Sequence, residues 1–216
     1  MSFTEPRDSD ETAEILRCAE RGDTEGLDRL FSRHRERLRR MVQLRLARQL
    51  RGRIDASDVI QEAFLEASVR LSDYLETPSM PFFLWLRFIT RQKLAALHRH
   101  HLGVKARDPR REIAIYDGAL PEATSEALAA QLLGRSSTPS EAAVRREMQV
   151  RLQEALNCLD PLEREILALR HFERLSNAET ARELAISESA ASKRYIRSLA
   201  RLKGILIHLG IESSQE

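Results

Sequence analysis

The sequence predicts an all-α protein of two small helical domains joined by a linker. Three observations carry that expectation. Apolar residues recur at i, i+3, i+4 and i+7 over long runs, and no useful length alternates apolar with polar. Aromatics are only 5% of the 216 residues, with 8 glycines and 7 prolines, a balance that favours helices over sheets. Between Gly103 and Pro139 the character changes: Pro109, Pro121 and Pro139 recur among mixed charges and frequent Ser and Ala.

The elements follow in order. Glu11 to Arg21 reads as a short helix stopped by Gly22. A longer helix runs from about Thr24 to Leu50, its apolar face made of Leu27, Leu30, Phe31, Leu38, Met41, Val42 and Leu46. Gly52 interrupts it. "RIDASDVIQEAFLEASVRL" restarts a helix, with Asp55 as N-cap, Asp58 three residues on, and Val59, Ile60, Phe64, Leu65 and Val69 facing inward. Pro78 and Pro81 in "SDYLETPSMP" end it. "FFLWLRFITRQKLAALHRHH" is apolar first and basic later. The linker holds one weak helix near Glu122 to Leu133. Ser140 caps a helix that continues to Leu159, and Pro161 opens the next. The expected divisions are an extension at residues 1–23, domains at 24–103 and 140–210, and a linker at 104–139.

Lys and Arg number 35 against 33 Asp and Glu, so the net charge of +2 says little. Segregation says more. Arg29 to Arg53, Arg91 to Arg111 and Lys193 to Lys203 are basic, whereas Asp55 to Glu66 and Glu141 to Glu165 are acidic. Basic faces suit phosphate backbones, and an acidic patch suits a basic protein partner. Taken singly, each run is an ordinary solvated helix face. Cys18 and Cys158 show no motif spacing, which fits a reduced cytoplasmic protein. No apolar run reaches the roughly 20 residues that span a bilayer, so no membrane insertion is expected. The polar start "MSFTEPRDSDETAEI" lacks a signal-peptide core.

"SNAETARELAISESAASKRYIRSLARLKG", Ser176 to Gly204, carries the chemistry. Ser176 caps a helix and Glu179 completes a capping box. Ala178, Ala181 and Leu184 form its inner edge, and small Ala181 lets a second helix cross closely. Ala185-Ile186-Ser187 makes the turn, with Ile186 filling the space between the helices and Ser187 capping the second. There Ala191, Tyr195, Leu199, Leu202 and Leu206 share one face. Ser189, Ser192, Lys193, Arg194, Arg197 and Arg201 occupy the other. A recognition helix needs this division, with small polar and basic groups at base edges and further basic groups at phosphates. A plain amphipathic hairpin would share the periodicity but does not require the basic residues so placed. Ala185 stands where glycine usually eases a left-handed turn.

Together with its surroundings, "ALNCLDPLEREILALRHFERLSNAETARELAISESAASKRYIRSLARLK" resembles region four of bacterial RNA polymerase sigma factors, nearest the extracytoplasmic-function (ECF) group. "DASDVIQEAFLEA" is similar to that group's region two core-binding helix, and "FFLWLRFITRQKLAALHRHH" to the helix after it. The matches cover about two thirds of the chain, in the family's order. The wordings Pro81 to Leu86 and Leu175 to Ala181 resemble planctomycete-type versions. The resemblance implies a non-enzymatic factor that binds core polymerase, through its clamp coiled-coil and flap, and promoter DNA. Region four would read the −35 element as duplex and region two would help melt the −10 element.

The residues the resemblance points to are these. Asp55, Asp58, Gln61 and Glu62 are candidates for the polymerase contact, Asp55 also as a simple cap. Tyr74 and Ser79 lie where the family holds a flipped base. Arg87, Arg91, Lys93, His98 and Arg99 are candidates for single-strand phosphates. Trp85, Phe82, Phe83 and Phe88 have the look of stacking platforms, but so apolar a stretch reads better as core. Ser57 stands where the family often has an acid. A Ser/Thr kinase acting there would add negative charge to the polymerase-binding face, although variation at a helix start explains a serine more simply. An anti-sigma partner is typical of the group.

No metal or cofactor is expected. His98 to His101, "HRHH", has no acid or cysteine spaced to complete a site. No Gly-rich phosphate loop, paired carboxylates with histidine, or nucleophile constellation supports an enzyme. The rival function is a stand-alone helix-turn-helix regulator, which would dimerise on a palindrome and leave the acidic helix idle.

Overall fold

The computed structural model describes residues 12, 14–19, 24–50, 52–102, 125, 128–129 and 139–208, all-helical apart from turns and short connections. Two compact units divide the chain: Met1–Val42 with Ala47–Tyr116, and Gln43–Leu46 with Asp117–Glu216.

Helix α1, Thr24–Arg45, belongs to the first unit as far as Val42 and there buries Leu30, Phe31, His34, Leu38, Met41 and Val42 along one stripe. It stops five residues before the expected Leu50: a single 3-10 turn, Arg48–Leu50, follows. Gly52 then takes φ 89°, a left-handed conformation that side chains disfavour, and the chain reverses.

Helix α2, Ala56–Val69, begins as expected. Asp55 sits outside the helix with extended backbone, and its carboxylate accepts the Ser57 N–H at 2.8 Å. Its inward face is Ala56, Val59, Ile60, Ala63, Phe64 and Ala67. Leu65 and Val69, expected inside, are 66% and 82% exposed. The small residues at 56, 63 and 67 line up with Ile60 and face the neighbouring helix. Val69, nine residues beyond Ile60, falls about 180° round the helix.

The segment expected only to break α2 first forms a short helix, α3, Leu71–Glu76. Helix α4, Phe82–Leu102, then packs mainly on α2. An aromatic cluster joins these elements. Phe31 stacks on Phe64 with centroids 4.6 Å apart, and Tyr74 stacks on Trp85 at 4.5 Å.

In the second unit, α5 spans Pro139–Asn157 and starts at the proline, one residue before the expected cap Ser140. Helix α6, Pro161–Leu167, has a full capping box between Asp160 and Glu163. One wide π-turn, Ala168–Phe172, extends it. Of the expected weak helix at 122–133, Ser125, Leu128 and Ala129 are helical and buried; its remaining residues, like most of 104–138, lie outside the described residues. Leu44, Leu128, Leu152, Leu156, Leu159 and Leu167 form the core, with Tyr195, Leu202 and Leu206 against it. Arg45, in the same unit, is wholly buried against Glu165 at 2.5 Å and Glu173 at 2.6 Å.

Helix α7, Asn177–Glu183, is capped as its sequence predicts. Glu179 N–H donates to Ser176 Oγ at 3.1 Å, and Ser176 N–H donates to the Glu179 carboxylate at 2.8 Å. Ser176→Ala leaves the Glu179 N–H to water. It is expected to destabilise the second unit by about 1 kcal/mol, measured as faster amide exchange at α7 and a lower denaturation midpoint.

Candidate nucleic-acid interface

Helix α8, Glu188–His208, follows α7 through a tight turn. Ala185 takes φ 52°, so the turn adopts the left-handed conformation without glycine. Ile186 N–H donates to Ala181 O at 2.9 Å, closing the end of α7. Asn177 Nδ2 donates to Glu188 O at 2.9 Å, tying the start of α7 to the start of α8. Ser187 Oγ accepts the Ala190 N–H at 3.2 Å. These local contacts together fix the angle between the helices.

Inward, α8 presents Ala191 and Ser198, both buried, with half-buried Tyr195, Leu202, Ile205 and Leu206. Ser198 takes the place expected for Leu199: its hydroxyl donates to Arg194 O at 2.8 Å, while Leu199 is 40% exposed. A serine can satisfy itself on its own helix and pack closely, as leucine there could not. On the α7 side, Ala181 is buried as expected and Thr180 is buried beside it, whereas Ala178, expected on the inner edge, is exposed.

Ser189, Lys193, Arg194 and Arg197 are exposed, and Ser192 is half-buried on the flank. Arg201 is engaged elsewhere: it donates to Glu163 Oε2 at 2.8 Å and to Cys158 O at 3.1 Å. That anchors α8 to the start of α6, so Arg201 is a structural residue first. Ile196, absent from the residues expected on this face, is 63% exposed between Lys193 and Arg197. A mismatch between an apolar residue and the polar stripe around it was the available signal.

In the first unit the expected residues divide into buried and exposed groups. Tyr74 is buried, and its hydroxyl donates to Met80 O at 2.9 Å. It braces the loop from within, and burial pushes its phenol pKa up. Arg87 is buried too. His98 is buried, and its Nε2 accepts the Ala47 N–H at 3.3 Å, so that nitrogen carries no proton; burial pushes its pKa down. None of these three presents its side chain to a strand, because each lies on the inward line of its helix. Lys93 is held by Glu66 at 3.0 Å, and Lys93 and Arg70 together hold the Glu66 carboxyl below its ordinary range. Ser79 and Arg99 are exposed, and half-buried Arg91 lies over the Phe88 ring, 5.4 Å from its centroid.

Asp58, Gln61 and Glu62 stand exposed on α2. Asp55 accepts the Ser57 N–H, which, with a further hydrogen bond from Ser57, holds its carboxyl below the ordinary carboxylate range. Among the described residues no group of three or more His, Cys, Asp and Glu is placed to hold a metal. Among them, too, no helix is long and apolar enough to cross a membrane.

This chain is similar to known proteins in sequence and in fold. Residues 149–202 match the family described as sigma-70, region 4. The ECF RNA polymerase sigma factor BldN of Streptomyces coelicolor is 29% identical over 90% of this chain and 67% of its own length. The ECF RNA polymerase sigma factor SigD of Mycobacterium tuberculosis is 28% identical over 88% of this chain and 81% of its own. The probable RNA polymerase sigma factor RfaY of Xanthomonas campestris is 30% identical over 70% of this chain, which spans only 34% of that protein. CnrH, solved in complex with the cytosolic domain of CnrY, shares the fold: TM-score 0.50 and 22% identity, over 90% of this chain and 96% of that one.

With a sigma-70 region 4 match in its helix-turn-helix unit and a second helical unit before it in the chain, this protein is similar to bacterial RNA polymerase sigma factors of the ECF type.

Proposed function

We propose that this chain binds core RNA polymerase through α2, reads the −35 promoter element as duplex through α8, and assists melting of the −10 element from its first unit. In this reading residues 24–103 form region two, 104–139 the linker and 140–210 region four. The observation that carries it is the α7–α8 geometry: the capped, tied turn leaves Ser189, Lys193 and Arg197 outward together. Asp58, Gln61 and Glu62, exposed on one helix, suit the basic clamp coiled-coil of the polymerase, and the flap is assigned to region four by family likeness. For the −10 strand the accessible set is Ser79, Arg91 and Arg99.

A regulatory partner of the anti-sigma kind is proposed by analogy with CnrH, solved with the cytosolic domain of CnrY. Ser57, beside Asp55 and Asp58, is a proposed kinase site; a Ser57→Asp variant with unchanged polymerase affinity would argue against it. The planctomycete likeness rests on the wording of Pro81 to Leu86 and Leu175 to Ala181 alone.

The test is titration of the purified chain into core polymerase of its host at two salt concentrations, followed by promoter binding of the assembled enzyme. Saturable one-to-one assembly is expected. Lys193→Ala with Arg197→Ala should then weaken duplex binding and flatten its salt dependence, the slope falling by about 1 for each phosphate left without its cation. Binding to a palindromic duplex as a dimer, without polymerase, would favour the stand-alone regulator instead.

A further inference from the structure

Ser189, Lys193, Ile196 and Ala200 follow one another at intervals of four, three and four residues, all exposed, along the line of α8 opposite its buried face. Ile196 is 63% exposed there. A β-branched apolar side chain gains nothing from water in that position and is a weaker helix former than the alanine four residues on. It is also poorly placed for docking another protein's apolar helix. Lys193 and Arg197 flank it, and Ile207, exposed on the same line, lies eleven residues or about 16 Å further along the axis.

One chemistry accepts an apolar group set between cations. The major groove lies between phosphate rails, and the apolar feature on its floor is the 5-methyl group of thymine. From Ser189 to Ala200 the helix advances about 16 Å, the length of about five base-pair steps, with Ile196 past the middle. Ser189 and Ala200 are small, so the helix can approach closely at either side of Ile196.

We propose that Ile196 reads a thymine methyl group in the major groove and so sets a thymine preference at one or two adjacent positions of the bound element. The inference rests on α8 being the recognition helix. It adds to the polar and basic contacts a specificity determinant that is blind to hydrogen bonding.

Deoxyuridine provides the test, since it keeps every hydrogen bond of thymine and lacks the methyl. Polymerase assembled with the full-length chain selects its upstream element from a pool of randomised duplexes, and each thymine in the enriched element is replaced in turn. At one or two positions the wild-type enzyme should bind about fourfold more weakly, the value of one buried methyl-sized group. Ile196→Ala should bind both duplexes alike. Lys193→Ala should weaken both and keep the ratio. A ratio of one at every position, or one that persists in Ile196→Ala, overturns the proposal. So does Ile196→Ala weakening assembly with core polymerase before any DNA is added, which would give this face to a protein contact. If no upstream element is enriched, the promoter reading itself fails and the inference goes with it.

Discussion

Reversing Asp58 and Glu62 together, as Asp58→Lys with Glu62→Lys, is expected to weaken binding to core polymerase at least about a hundredfold, close to 2.7 kcal/mol. Both carboxylates are exposed on α2, four residues apart on one line, and among the described residues neither forms an ion pair. They are therefore available to a basic partner without breaking anything inside the unit. An exposed pair contributes only about 0.2–1 kcal/mol when made. Reversal does more than remove it, because like charges brought together in an interface cost several kcal/mol. Leu65 and Val69 continue the same exposed surface, so a partner bound there would cover apolar area beyond the charges. Denaturation of the variant should match wild type, since neither residue packs in the core. Titration at two salt concentrations checks both parts. Wild-type affinity in the variant would remove α2 from the polymerase contact.

What could be read from the sequence was local chemistry. Asp55, Ser176 with Glu179, and Pro161 announce helix starts because a cap is decided by neighbours two or three residues away. The exposed positions of Lys193, Arg194 and Arg197 on α8 were legible for the same reason: side chains on an exposed helix face need no partner to define their position. Failures came where a distant element chose the face. Leu65 and Val69 fit the apolar period of α2, but the alanines at 56, 63 and 67 permit the closest approach, and α4 packs there. Tyr74, Arg87 and His98 look like nucleic-acid ligands by residue type, yet each points into its own unit. For Tyr74 the acceptor is a backbone carbonyl in the loop it supports. Leu199 lost its inner place to Ser198 because a hydroxyl can bond back to its own helix. Composition carries none of this, because burial is settled by what lies opposite.

The residue furthest from legibility is Arg45, and it carries the second large expectation. Its side chain is fully buried in the second unit between Glu165, 20% exposed, and Glu173, fully buried, partners 120 and more residues away in sequence. Arg45→Met should destabilise that unit by about 3–5 kcal/mol, because it strands a buried carboxylate without its cation. Glu165→Gln should cost less: Arg45 retains Glu173, and the altered side chain still reaches solvent. The contrast separates a charge effect from a packing effect. If burial alone mattered, methionine, of similar reach and apolar, would be tolerated at position 45 in the wild-type background. If charge dominates, methionine is tolerated only when Glu173 is also made apolar, and Arg45→Met with Glu173→Leu should recover most of the loss, since apolar replacement of a whole buried pair is often neutral or better. Amide exchange at Ile166, Leu167 and Leu169 localises the effect to the core around the pair. Recovery in the double variant identifies the stranded charge as the cause; equal loss in single and double variants would mean that Arg45 acts through its shape.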